Sequence, residues 1–164
     1  MAFDAFLKID GVDGESLDDA HIKWIEILSF SWGASRPASA GQPAGKVVAK
    51  DFNLFHKVDK ASPILMLRCC DGTHIPSATL SVRKAGTTQL DYLKYKMENV
   101  IISGFAPGGS SSGADDRPLE EISLNFQKMT YSYIYQDPTG AQQLIEATCD
   151  FTTAPTSVSL FGHR

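Results

Sequence analysis

The sequence predicts a mainly β protein: a single-domain antiparallel two-sheet β-barrel or sandwich with one short flanking helix at about residues 63–71. Three observations lead to this prediction. Apolar and polar residues alternate over most of the chain, which is the period of a half-buried strand. Glycine-rich turns separate these segments, and only one segment carries helix signals. The 164 residues, 43% hydrophobic and 21% charged, suffice for one domain (1–164) with an apolar core.

The first half of the chain contains three predicted strands. Alternation from Phe3 to Ile9 predicts the first, and the glycines of segment 11–14 predict the turn after it. A second extended run covers residues 22–33 and has two unlike faces. Its apolar face comprises Leu28, Phe30 and Trp32, and its small polar face comprises Ser29, Ser31 and Gly33. A third strand is expected at about residues 47–57.

The helix prediction rests on three independent signals. Ser62 is a suitable N-cap, Pro63 occupies the first helical position, and Gly72 supplies the left-handed residue that ends a helix. A helix of about nine residues is too short to be stable alone, so it is expected to pack on a sheet.

Further strands are predicted in the second half of the chain. They are expected at about residues 78–83, 89–102, 119–135 and 141–152, with a hairpin turn at 85–88 and a polar tail at 153–164. The apolar phase of the 119–135 strand changes after Phe126, which predicts a bulge near Gln127 and Lys128.

Two long segments lack the strand pattern and are predicted to be exposed, flexible loops. Residues 34–46 contain no large apolar side chain, and residues 104–118 are rich in glycine, serine and proline. Loops of this length are either functional or disordered.

Charge and composition argue against several classes of partner. A formal net charge of −4 without a block of Lys or Arg gives no electrostatic reason to expect nucleic acid or an anionic membrane. The densest apolar stretch near the helix, Ile64–Leu67, is far too short to cross a bilayer, so no membrane insertion is predicted. The N-terminus has neither a basic region nor a long apolar region, so no signal peptide is expected.

No catalytic, cofactor-binding or metal site is predicted, and the chain is not expected to be an enzyme. Metal-ligand spacing is missing among the four histidines, which are His21, His56, His74 and His163. Cys69 and Cys70 stand at the C-terminal end of the predicted helix, where the helix dipole opposes a thiolate. With Cys149 they are expected to be reduced thiols.

An aromatic stripe on the 119–135 strand has two interpretations. Tyr131, Tyr133 and Tyr135 share one side of the strand and could stack on nucleobases or sugars. Such stripes more often pack on a sheet face or at a subunit interface. Taken alone, the chemistry of the residues leads only to a β-rich domain that is not an enzyme.

Seven segments occur in an order and spacing found in one known family. They are the opening 1–16 with its Gly-Glu-Ser turn, the strand end 27–33, the pair 45–46, the segment 57–63 before the helix, the hairpin 82–86, the loop 108–113 and the strand 119–126. On these segments the chain resembles the Hcp family of type VI secretion proteins over about residues 1–135.

The resemblance implies a function. Members of this family form hexameric rings that stack into the inner tube of the type VI machine, which sits in a contractile sheath and carries a VgrG-type spike. The tube is expelled with small effector proteins in its lumen. The resemblance therefore implies synthesis in the bacterial cytoplasm, secretion through the type VI apparatus without a signal peptide, and no cofactor. A monomeric β-barrel that binds a ligand, and a specialised effector carrier, remain open alternatives.

Under this resemblance, residues can be assigned to the lumen and to ring contacts. Ser29, Ser31 and Gly33 are expected to line the lumen, since a small polar surface lets cargo slide; the alternative is a plain exposed strand. The 34–46 and 104–118 loops are expected to touch the next ring, because heterologous contacts produce open stacks. The stacking candidates are Ser39, Gln42, Lys46, Ser110, Asp115 and Asp116.

Overall fold

The computed structural model describes residues 3–85, 90–113, 116–152 and 157–162. Within these ranges the chain forms thirteen strands and one helix. In chain order they are β1 (Phe3–Ile9), β2 (Ile25–Ile27), β3 (Ser29–Ser31), β4 (Ala34–Ser35), β5 (Ala38–Ser39), β6 (Gln42–Pro43), β7 (Val48–Ala49), β8 (Phe52–Lys57), α1 (Ser62–Asp71), β9 (Ile75–Lys84), β10 (Asp91–Gly108), β11 (Leu119–Gln136), β12 (Gln142–Asp150) and β13 (Ser157–Gly162). The predicted class, mainly β with one flanking helix, is confirmed.

The main sheet is antiparallel and nearly closes on itself. Its strands follow the order β13-β12-β11-β10-β9-β1-β2, and β8 joins it by pairing with β11 and with β3. Only Leu28 separates β2 from β3. The β2 end of the sheet is therefore linked through one residue to the β3–β8 branch that pairs with β11, and this part of the sheet curls into a barrel.

Strand β11 changes partner halfway along its length. Its residues 119–124 pair with β8, and its residues 128–136 pair with β12, while β10 lies alongside residues 119–133. The first half of β11 thus belongs to the barrel. The second half continues the sheet beyond it, and we call residues 91–97 of β10, residues 128–136 of β11, and strands β12 and β13 the sheet extension.

The two long strands change phase together where the barrel meets the sheet extension. Phe126 and Met129 are both buried, so the predicted phase change is confirmed. The predicted bulge at this point is wrong, because the β10–β11 register is the same on both sides of it. Instead, Asn99 lies opposite Gln127 with a φ of 50° and donates from Nδ2 to Gln127 Oε1 at 2.8 Å. A left-handed residue on the partner strand therefore reverses the phase of both strands.

The barrel interior is filled by apolar side chains. Its largest fully buried members are Leu7, Ile9, Ile25, Phe52, Leu54, Leu65, Leu80, Met97, Ile122 and Leu124. Each contributes about 1.5–3 kcal/mol by leaving water. Leu65 comes from α1, so the short helix is held on the barrel as expected. A filled interior disfavours the alternative of a monomeric barrel that holds a ligand.

The helix begins at Ser62, one residue earlier than predicted. Its N-cap is Ala61, without a side-chain cap bond, so the prediction that Ser62 caps it is wrong. The Ser62 hydroxyl instead accepts a hydrogen bond from the Asp59 N–H at 3.1 Å, which stabilises the turn before the helix. The predicted stop is confirmed: Gly72 has a φ of 66°, and its N–H donates to the Arg68 carbonyl at 3.1 Å.

Other differences concern the loops and the C-terminal segment. The 34–46 segment contains the short strands β4, β5 and β6 rather than a continuous loop. Strand β10 reaches Gly108, because the ladder with β11 keeps its backbone groups paired, so the second loop covers only 109–118. The predicted polar tail contains β13, whose Ser-Val-Ser-Leu sequence has the period of a strand.

Two further expectations differ or cannot be located. Leu28 is 53% exposed instead of sharing a core face with Phe30, since it occupies the corner where the chain leaves β1 to pair with β8. Most of the predicted 85–88 turn lies outside the described residues.

Candidate functional site

Four neighbouring strands carry a polar surface on the outside of the barrel. In the order β3, β8, β11 and β10, they place Ser31 beside Asn53, Asn53 beside Ser123, and Ser123 beside Gly104. The residues between them on the same strands point into the core. Successive side chains of a strand point to opposite sides of the sheet, so one side is polar and the other is buried. We call this surface the polar face; its residues are Ser29, Ser31, Gly33, Asp51, Asn53, Ser103, Ser123 and Asn125.

Hydrogen bonds join the strands across the polar face. Ser123 Oγ donates to Asn53 Oδ1 at 2.7 Å. Asp51 accepts from Ser103 Oγ at 2.8 Å and from Asn125 Nδ2 at 2.9 Å. The polar groups of β8, β10 and β11 are thus paired with one another and held in fixed positions.

The structure brings the predicted lumen residues to this surface. Ser29 and Ser31 are exposed on it, and Gly33 is half-buried at its end. Sequence reasoning identified one strand of the four and missed Asn53 and Ser123. The same signal was present there, because both residues stand between apolar neighbours in an alternating run.

One large apolar side chain interrupts the polar face. Phe55 is 39% exposed and pairs with Ser29 on one side and with Glu121 on the other. Phe55 and Glu121 border an open groove whose other wall is formed by residues 106–111 and 116–119. The carboxylate of Glu121 has no hydrogen-bond or ion-pair partner among the described residues, so it is free to meet a partner.

The predicted stacking residues lie in two separate parts of the chain, the 34–46 segment with its short strands and the 109–118 loop. Ser39 and Gln42 pair in the β5–β6 ladder, and Lys46 is exposed beyond it. Ser110 and Asp116 are exposed in the second loop. Asp115 lies outside the described residues.

These two loops lie at opposite ends of the polar face. Strand β3 enters the 34–46 segment near the start of β8, where Ser31 pairs with Asn53. The 109–118 loop joins β11 near the end of β8, where Leu119 pairs with Lys57. About six strand residues separate the two ends, which is on the order of 20 Å.

A buried ionisable group lies beneath the second loop. His56 Nε2 is 2.8 Å from Glu120 Oε1, and both side chains are buried. The carboxyl of Asp59 lies nearby, and burial raises its pKa above the ordinary value despite the opposing charge of His56. Because water does not reach the His56–Glu120 pair, it fixes structure rather than presenting a reactive group.

A second histidine joins the N-terminal segment to the sheet. His21 contacts Asp18 through Nδ1 at 2.6 Å and Asp91 through Nε2 at 2.8 Å, and its ring stacks on Phe6 at 4.2 Å. Burial opposes ionisation of Asp18, but hydrogen bonds from His21 and Arg83 outweigh it and hold the pKa of Asp18 below its ordinary value. This cluster also serves the fold.

The described residues contain no group of three His, Cys, Asp or Glu side chains arranged to hold a metal ion. None of the helices in the described ranges has the length and apolar character needed to span a bilayer.

Known proteins resemble this chain over most of its length. The family model described as "Type VI secretion system effector, Hcp" matches residues 6–133. The Hcp1 protein of Pseudomonas aeruginosa is 40% identical over 147 residues, which cover 87% of this chain and 90% of that protein. Among solved structures, Hcp1 from Salmonella typhimurium has a TM-score of 0.79 and 38% identity, covering 94% of this chain and 98% of its own.

A third relative agrees with these. The type VI secretion system effector from Yersinia pestis has a TM-score of 0.74 and 39% identity, covering 90% of this chain and 99% of its own. Fold, length and sequence all coincide with the family that the seven sequence segments resemble. The chain belongs to the Hcp family, whose members are the tube subunits of type VI secretion.

Proposed function

We propose that this chain forms hexameric rings that stack head to tail into the expelled inner tube of a type VI secretion machine, with small effector proteins in the lumen. The VgrG-type spike at the tip and the surrounding contractile sheath are its further partners in this proposal. The observation that carries it is the polar face with a long loop at each end. Export through this machine would need no signal peptide, because the tube itself is the exported object.

In this proposal the polar face is the lumen wall. Small side chains such as Ser29 and Ser31 leave the bore wide, and Gly33 adds no side chain at all. The polar groups of the neighbouring strands already bond to one another, as between Ser123 and Asn53. A wall whose hydrogen bonds are internally satisfied binds a passing protein weakly, which suits a carrier that must release its cargo.

The loops at the two ends provide the ring-to-ring contact. Head-to-tail stacking brings the 34–46 segment of one ring to the 109–118 loop of the next. A contact between two different surfaces of this kind can repeat from ring to ring, so the stack grows into an open-ended tube. Exposed Lys46 stands at one end and exposed Asp116 at the other, so the charges are complementary. Ser39, Gln42 and Ser110 offer hydroxyl and amide groups at the same contact, and Asp115 adds a second acid in the sequence.

Native mass in solution tests the proposal. Light scattering behind a sizing column is expected to give a species of six subunits, and electron microscopy of concentrated protein is expected to show hollow stacks. A single subunit at high concentration would contradict the ring and favour a monomeric binding module. Absence of turnover is expected, because the role is structural.

A further inference from the structure

The sheet extension carries an uncovered apolar face. Tyr131, Tyr133 and Tyr135 are 40%, 41% and 39% exposed, and Ile145 of β12 is 36% exposed. The β11–β12 register places Ile145 directly opposite Tyr133. Tyr133 and Tyr135 stack with ring centroids 6.3 Å apart, and Tyr131 meets the buried ring of Tyr95 edge-on at 4.6 Å. We call Tyr131, Tyr133, Tyr135 and Ile145 the aromatic face.

The aromatic face is the outward continuation of the barrel core. Tyr95 and Met129 lie on the same side of their strands and are buried. The opposite side of the same strands is mainly polar, with Ile134 and Leu144 as an apolar pair; for example, Ser132 Oγ donates to Glu146 Oε2 at 2.7 Å. An antiparallel sheet with one polar and one apolar side needs a second layer on the apolar side, and the described part of this chain leaves the aromatic face exposed.

Helix α1 also has an apolar side that faces solvent. Leu65 is fully buried and Cys69 packs against the core, which fixes the helix on the barrel. Ile64, Met66 and Leu67 are 38%, 49% and 52% exposed, and Ile64 and Leu67, three residues apart, share the side that faces away from the barrel. The chain therefore carries two unlike apolar surfaces.

Two unlike surfaces are what a heterologous ring contact requires. Every subunit gives one surface to the neighbour on its left and the other to the neighbour on its right. The helix of ten residues is about 15 Å long. The strand segment from Tyr131 to Tyr135 spans about 15 Å as well, so the helix fits along it.

The exposed area also agrees with a subunit contact. At typical side-chain areas, the two surfaces together expose on the order of 600 Å². A stable interface buries about 1,200–2,000 Å² in total, of which slightly more than half is apolar. These surfaces thus supply most of the apolar centre of one interface, and polar neighbours supply the rim.

We propose that α1 of one subunit packs, through Ile64 and Leu67, on the aromatic face of the adjacent subunit in the ring. This inference rests on the ring proposed above. It assigns the tyrosine stripe to a subunit interface rather than to the binding of bases or sugars.

Site-specific photo-crosslinking tests the contact directly. Full-length Tyr133→benzoylphenylalanine protein is run on a sizing column with light scattering, and the fraction with the mass of a single ring is irradiated. The expected product is a covalent dimer in which position 133 is joined to a peptide within residues 62–71 of another copy. Leu17 is 89% exposed and belongs to neither surface. Leu17→benzoylphenylalanine is therefore the matched control and should give no link to that peptide.

A second experiment measures what the contact contributes. Leu67→Gln and Tyr133→Ser, each checked for folding by circular dichroism, are expected to weaken ring assembly at least tenfold, whereas Leu17→Gln should leave it unchanged. Rings in which position 133 links only to segments other than 62–71, or not at all, would overturn this inference and leave the ring intact. A single-subunit mass for the unsubstituted protein would overturn the ring, and this contact with it.

Discussion

His56 Nε2 lies 2.8 Å from Glu120 Oε1 at a site where the histidine is fully buried and the glutamate is 2% exposed. The two residues are direct partners in the β8–β11 ladder. This ladder joins the polar face to the 109–118 loop. Removing one member of such a buried pair destabilises the fold strongly, because the other member is then left as a buried charged or polar group that is bonded neither to protein nor to water.

Replacing His56 with leucine is therefore expected to destabilise the fold by about 3–5 kcal/mol, since Glu120 loses its partner. The free energy of unfolding in urea, measured at neutral pH, checks this. The double variant His56→Leu/Glu120→Leu is the control and should recover much of the loss. If the double variant were no more stable than the single one, the pairing would not be the cause.

Asp59 makes stability depend on pH. Burial raises its folded pKa above the unfolded value, so between the two values the folded protein holds a proton that the unfolded chain has lost. The contribution of Asp59 to stability is therefore fully present at pH values below the unfolded pKa and is lost as pH rises through the folded pKa.

Asp59→Asn removes this titration and keeps the Oδ1 acceptor for the Ala61 N–H. We expect the variant to gain thermal stability relative to the parent as pH rises from 3 to 7. Melting temperatures across that range, with the exposed Asp19→Asn as a control, provide the measurement. A difference that did not change with pH would show that the carboxyl does not titrate as argued.

The alternating pattern predicts most of the fold correctly because it records which face of a strand is buried. It places Ser29 and Ser31 opposite Phe30 and Trp32, as the structure does. The sequence of a strand does not reveal which other strands pair with it. Alternation marks Asn53 and Ser123 as exposed, but only the pairing of distant segments shows that they complete the polar face, so this role was missed.

The phase change in β11 shows a related limit. Its sequence reveals that burial changes phase after Phe126, but the residue responsible is Asn99 on the partner strand. The cap of α1 is a third case. Ser62 has the right chemistry for a cap, yet its hydroxyl accepts a hydrogen bond from the Asp59 N–H, and Ala61 takes the N-cap position instead. Competition between nearby groups of similar strength decides such details.

Gly14 is required by a close backbone approach. A Cβ at this position would lie well inside van der Waals contact of the Trp24 carbonyl, while the Gly14 N–H donates to the Lys23 carbonyl at 2.7 Å. We expect Gly14→Ala to destabilise the protein by about 2–3 kcal/mol in urea unfolding, because backbone atoms must move apart. Gly108→Ala meets nothing within 4 Å and is the control that should change little.

Ser31 tests the lumen assignment separately from assembly. Ser31→Trp adds a large side chain to an exposed position of the polar face, so narrowing of the bore should reduce retention of an effector in a pull-down severalfold. The ring, measured by native mass, should persist, since the proposed subunit contact lies elsewhere. Loss of the ring together with cargo would place Ser31 at a subunit interface instead.

Charge reversal tests the contact between rings. Lys46→Glu is expected to reduce the amount of sedimentable stacks at low salt. The new glutamate would face Asp116 of the next ring at every subunit, and the two negative charges would repel each other. An exposed ion pair contributes only about 0.2–1 kcal/mol, but repetition around the ring multiplies the effect on stacking. The parent should lose stacks when salt is raised, whereas the variant should gain them, as screening removes attraction in one and repulsion in the other. Asp116→Lys combined with Lys46→Glu should restore stacking, and a failure to do so would indicate that these loops do not meet.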